Sequence, residues 1–136
     1  MEVIKEIIKS VKPKLEQHAQ ELRVMFPNIV ITVWNSNTGS LTNYKGYDIG
    51  IDCFLHDVKN GQADNVALSI DLKHLTTDPK IVAAGVVWGH PSGFVEKSLL
   101  TEQVPYSKDE LKKLIKNLPI LCDALKKALT RGKPPE

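Results

Sequence analysis

The chain has 136 residues, 18 basic and 16 acidic, for a formal net charge of +2, and 42% of them are hydrophobic. That length suits one domain hiding roughly two thirds of its unfolded surface and is too short for two ordinary ones. The charge is spread mildly, +1 over residues 1–27, −2 over 28–100 and +3 over 101–136, which argues against a dedicated nucleic-acid binder.

The N-terminal stretch MEVIKEIIKSVK places a charge every three or four residues. It therefore contains neither the apolar core of a signal peptide nor a membrane span. The two cysteines, Cys53 and Cys122, lie far apart and lack a C-x-x-C partner. Small buried thiols in a reducing cytoplasm are the expectation, rather than a zinc site or a disulfide scaffold.

From residue 4 the apolar positions Ile4, Ile8, Val11, Leu15, Ala19, Leu22 and Phe26 advance in steps of four and three, one stripe of an amphipathic helix. Pro13 sits inside this run, so a kink near Ser10 or a break into two segments is expected. Pro27 and Asn28 end the helix. The period then falls to two. NIVITVWN (28–35) reads as a first strand, followed by a turn over 36–40.

In GYDIGIDCFL (46–55), Tyr47, Ile49, Ile51, Cys53 and Leu55 alternate with Asp48, Gly50, Asp52 and Phe54. After an Asn60-Gly61 turn, Val66, Leu68, Ile70 and Leu72 alternate with Ala67, Ser69, Asp71 and Lys73. Two neighbouring strands thus each carry an oily and a polar face, the pattern of an antiparallel sheet covered on one side. IVAAGVVWG (81–89) is apolar on both faces and reads as central. A GHPSG turn (89–93) then leads into FVEKSLL (94–100) as a fifth strand.

The last helix opens at Ser107-Lys108-Asp109-Glu110, a capping-box pattern. Leu111, Leu114, Ile115, Leu118, Leu121, Cys122, Leu125 and Leu129 form its buried stripe, with a second kink expected at Pro119. The order helix, strands, helix predicts an α+β domain over residues 1–130, with residues 131–136 as a frayed tail. The sheet is expected to be an antiparallel meander of four to five strands, with both terminal helices packed on one face.

On that reading Asp48, Asp52, Ser69, Asp71 and Lys73 point away from the helices, joined by Trp34 from the first strand and Glu96 from the fifth. An aspartate followed about twenty residues later by Asp-x-Lys resembles the core of the PD-(D/E)xK nucleases. The resemblance spans Asp48 or Asp52 through Lys73. It implies a magnesium ion held by two carboxylates, Asp52 and Asp71, and a lysine, Lys73, that positions or activates the attacking water. Two features depart from that family: only TTDPK (76–80) separates the Asp-x-Lys strand from the next, where the family has a helix, and no proline precedes Asp48 or Asp52.

Other chemistry has thinner support. The four histidines, His18, His56, His74 and His90, lack ligand spacing such as H-x-x-x-H, and are expected as scattered imidazoles. Ser92 in GHPSG lies between two strands, not at the strand-to-helix turn of a nucleophile elbow. Neither G-x-G-x-x-G nor a P-loop occurs. The lysines of the last helix read as its solvated face.

The sequence reading thus favours a cytoplasmic, non-catalytic protein-interaction module with no cofactor, of inhibitor, immunity or adaptor type or a homodimerising unit. It would use an acidic sheet face or an edge strand, with Trp34, Asp48, Asp52, Asp71, Lys73 and Glu96 as the binding residues. The magnesium-dependent nuclease is the alternative.

Overall fold

The computed structural model describes residues 2–36, 46–57, 62–74, 77–89 and 94–135. The first helix, α1 (Glu2–Met25), runs without interruption through Pro13. The expected break is therefore absent. Pro13 is exposed, and so is Lys9, whose carbonyl loses its donor to the proline ring and can turn to water instead. The buried stripe is Ile4, Ile7, Val11, Leu15, Ala19 and Leu22. Ile7 takes the place expected for Ile8, which is half-buried.

The second helix, α2 (Lys108–Arg131), likewise continues through an exposed Pro119. Ser107 caps it, its Oγ accepting the Glu110 N–H at 3.1 Å, while Asp109 and Glu110 in the first turn complement the positive end of the helix. At the other end Gly132 adopts the left-handed conformation (φ 74°) and its N–H reaches the Ala128 carbonyl at 2.9 Å. Glycine takes that φ without steric cost.

Between the helices lie β1 (Val30–Ser36), β2 (Gly46–Asp57), β3 (Gln62–Lys73), β4 (Lys80–Trp88), β5 (Phe94–Ser98) and the short β6 (Val104–Pro105). The first five form an antiparallel meander in chain order. β6, not anticipated from the sequence, pairs with β4 at Lys80 and Ile81, continuing the edge that β5 occupies from Gly85 to Trp88. The turns expected at 37–40, at Asn60-Gly61 and at 90–93 lie outside the described residues.

Both helices pack on the same sheet face, α1 against β1 and β2 and α2 against β3, β4 and β5. Their stripes meet Tyr47, Ile49, Ile51, Cys53, Val66, Leu68, Ile70 and Leu72, each no more than 1% exposed. Burying a side chain of this size contributes roughly 1.5–3 kcal/mol, so the alternation of β2 and β3 sets which face is covered.

Two bulges break that alternation further along. Ile81 and Trp88 both face the core although seven positions apart, because the register slips between Asp71 and Leu72 and leaves Val82 unpaired on β4. A second slip leaves Glu96 unpaired on β5. This overturns the expectation that Glu96 joins the polar face. Its carboxylate turns to the helix side, accepting the indole N–H of buried Trp88 at 2.8 Å and an ion pair from Arg131 at the end of α2. The Arg131 guanidinium also lies 5.9 Å from the Trp88 ring centroid.

Ile70→Ala is expected to cost about 2–5 kcal/mol, through lost burial and a residual cavity. Thr32→Ala, on the opposite and exposed face, should stay within about 0.5 kcal/mol. Urea midpoints check both, and equal midpoints would reverse the assigned faces. Glu96→Ala should cost about 1–3 kcal/mol by stranding the Trp88 indole N–H, and should speed hydrogen exchange at that proton.

Candidate functional site

No described element covers the second face of the sheet, and strand register determines what it displays. One row across the strands reads Trp34, Gly50, Ser69, Gly85, Ser98. On one side lies the row Ser36, Asp48, Asp71, Ala83, and on the other Thr32, Asp52, Ala67, Val87, Val95. Lys73 stands at the end of the sheet opposite Gly46 and Lys80. Thus Trp34, Asp48, Asp52, Asp71 and Lys73 share the open face, and Glu96 alone among the expected residues does not.

The middle row carries the smallest side chains of this face, a trough in which the Trp34 ring lies over Gly50. Gly50, Ser69 and Gly85 supply little or no side chain, and the strands approach closely there. A Cβ at Gly50 would meet the Leu68 carbonyl and Trp34 ring carbons at 2.5 and 2.7 Å, so the indole lies over the glycine. A Cβ at Gly85 would sit 2.5 Å from the Lys97 carbonyl. The Trp34 indole is therefore laid along the middle row as an aromatic plate, and Gly50 and Gly85 are both buried.

Carboxylates flank this trough on both sides. Asp48 and Asp71 are directly opposite one another on β2 and β3, an arrangement of like charges that destabilises a sheet. Burial, and then the neighbouring Asp71 charge, push the Asp48 carboxyl above its ordinary pKa. The Ser69 hydroxyl donates to Asp71 at 2.7 Å, and the Asn65 amide donates to Asp52 at 3.0 Å. These are neutral donors. Among the described residues no cation forms an ion pair with Asp48, Asp52 or Asp71.

The register also separates residues that the nuclease pattern would join. Asp52 is opposite Ala67, four positions along β3 from Asp71, a separation of roughly 13 Å at strand rise. It is Asp48 that faces Asp71. Among the described residues, no group of three or more His, Cys, Asp or Glu side chains gathers to hold a metal ion.

Among the described residues, the other candidates lie away from this face. His18 is half-buried between the helices, with Nε2 3.3 Å from the Cys122 carbonyl and Nδ1 3.5 Å from Glu21. His74 is exposed with a left-handed φ of 56°, while His90 and Ser92 lie outside the described residues. Both thiols are buried, and that burial pushes Cys53 and Cys122 up to about 12, leaving neither as a nucleophile at neutral pH.

Sequence reasoning missed the trough, although its signal was present. Gly50 lies between Asp48 and Asp52 on the polar parity, Ser69 precedes Asp71 by two, and their pairing with Trp34 follows once the strands are in register. Asn65, the partner of Asp52, fell just outside the expected third strand.

Because the folded state holds the Asp48 proton more tightly than the unfolded chain, ionising it costs stability as pH rises from the ordinary carboxylate range through the raised value. Asp48→Asn should therefore raise the melting temperature at pH 7, and this gain should fade as the pH is lowered below the ordinary carboxylate range. Thermal melts across that range test it, and a gain that does not depend on pH would show that ionisation of Asp48 carries no penalty.

No family model, no curated protein and no solved structure matches this chain, and the chemistry of the open face rests on its own residues.

Proposed function

We propose that the protein is a non-catalytic interaction module that binds another protein through the open sheet face, in the manner of an inhibitor, immunity or adaptor protein. The carrying observation is the juxtaposition of Asp48 with Asp71 beside Trp34, on a sheet face that no described element covers. Like charges held opposite each other, with no cation among the described residues to offset them, weaken the fold. A complementary partner surface would turn that cost into recognition.

Several further features support this reading over catalysis. The described thiols are buried, and His18 and His74 lie on different elements. No helix among the described residues is long and apolar enough to cross a membrane. The free, buried state of Cys53 and Cys122 fits a reducing cytoplasm, where we place the protein. The competing reading, magnesium-dependent phosphodiester cleavage, draws on Asp48, Asp71 and Lys73, with Asp52 too far along the sheet to share a cation with Asp71.

A photo-crosslinking residue at Thr32, exposed on the open face, should capture a protein partner in cells, and one at Lys116, exposed on α2, should not. Asp52→Lys should suppress the Thr32 capture, since a cation at this half-buried position then meets the cationic side of the partner, and a thermal melt shows that the variant is folded. Capture from Lys116 alone would move the interface to the helices. Magnesium-dependent plasmid nicking that disappears in Asp71→Asn would replace the interaction reading with the nuclease.

A further inference from the structure

The open face carries enough chemistry to specify what its partner presents. The Trp34 indole lies over Gly50 in its middle row, with Asp48 and Asp71 in the row on one side and Asp52 in the row on the other. Resting on the reading of this face as a protein-binding surface, we propose that its occupant is an extended basic segment of a partner protein. An arginine of that segment lies in the trough, its guanidinium stacked on Trp34 and hydrogen-bonded to Asp48 and Asp71.

Charge complementarity and shape carry this assignment together. A guanidinium is planar and offers five N–H donors, so it can stack on an indole and still direct donors at carboxylates beside the ring. Trp34 stands in the row adjacent to the Asp48–Asp71 pair, as that division of contacts requires. An ammonium is a point charge that gains less from a flat aromatic plate, so lysine fits the trough less well. Gly50 leaves room for the Trp34 ring to lie on the sheet as a flat plate, which a larger residue at that position would displace.

Three other occupants fit worse. A second copy of this face would oppose aspartates to aspartates. Nucleic acid would bring phosphates to the same carboxylates, which repel them. A divalent cation would find two adjacent carboxylates, Asp48 and Asp71, with no third acidic, histidine or cysteine ligand among the described residues.

The full chain, labelled with ¹⁵N, can be titrated with a short Gly/Ser peptide carrying two arginines, and with its lysine and citrulline counterparts. The arginine peptide should shift the Trp34 indole signal and the amides around Asp48, Gly50 and Asp71. The lysine peptide should bind about tenfold more weakly, and the citrulline peptide should not bind. Trp34→Ala and Asp71→Asn should each weaken the arginine peptide by about tenfold or more, whereas Trp34→Phe retains most of the affinity. The dispersed spectrum of each variant shows that it is folded.

Equal binding of arginine and lysine peptides, or binding unchanged in both Trp34→Ala and Asp71→Asn, would overturn the arginine assignment. Shifts at the same amides on adding magnesium alone, or on raising the protein concentration without peptide, would assign the face to a cation or to a second copy and overturn it as well. If no arginine peptide binds while a partner still crosslinks at Thr32, the arginine assignment fails and the interaction reading survives. Loss of the Thr32 crosslink would remove the interaction reading itself.

Discussion

Burial of the sheet on one side only is the constraint that organises this protein. Two amphipathic helices at the ends of the chain have enough apolar surface to cover one face of a five-strand meander, and both lie on that face. Every strand position therefore belongs either to a dry interior or to a surface that no described element covers. In β2 and β3 the division is sharp: the inward residues from Tyr47 to Cys53 and from Val66 to Leu72 are almost completely buried, while the residues between them are left to meet whatever approaches from outside.

What they present is mainly carboxylate, with Lys73 at the end of the sheet. Asp48 and Asp71 stand opposite each other, Asp52 lies nearby, and the hydroxyl and amide donors that stabilise two of these carboxylates are neutral. Nearby cations sit at the end of the sheet, where Lys73 faces Lys80 and Lys80 approaches Asp78 at 3.4 Å. Like charges placed opposite each other on adjacent strands weaken a sheet. The close approach of Trp34 to Gly50 adds a second constraint, because an aromatic ring lying on a glycine holds the surface flat and accessible beside the acidic pair.

The opposite edge of the sheet is governed by a different interaction. Glu96, displaced by the β5 bulge, connects Trp88 in the core to Arg131 at the end of α2. A carboxylate there satisfies the indole N–H and the guanidinium together, and a cation near the last turn of α2 also complements the negative end of that helix. This cluster ties the last turn of α2 to β4 and β5. Glu96 is thereby spent on holding the helix and is not available to the open face.

Hydrophobic period was sufficient, in the sequence alone, to determine the two helices, the five main strands and which side of β2 and β3 is buried, because solvent exclusion acts residue by residue and leaves its period in the chain. The serine cap of α2 was legible for a similar reason: Ser107 and Glu110 are local partners. Tertiary structure alone decided the features that depend on how two strands meet. Bulges at Val82 and Glu96 reversed the local parity, since a single unpaired residue rotates every side chain beyond it to the other face. The same holds for the open face: its parity was readable, but the opposition of Asp48 rather than Asp52 to Asp71, and the placement of Trp34 over Gly50, required the register. Cross-strand neighbours are chosen by backbone pairing between segments distant in sequence, and no local pattern encodes them.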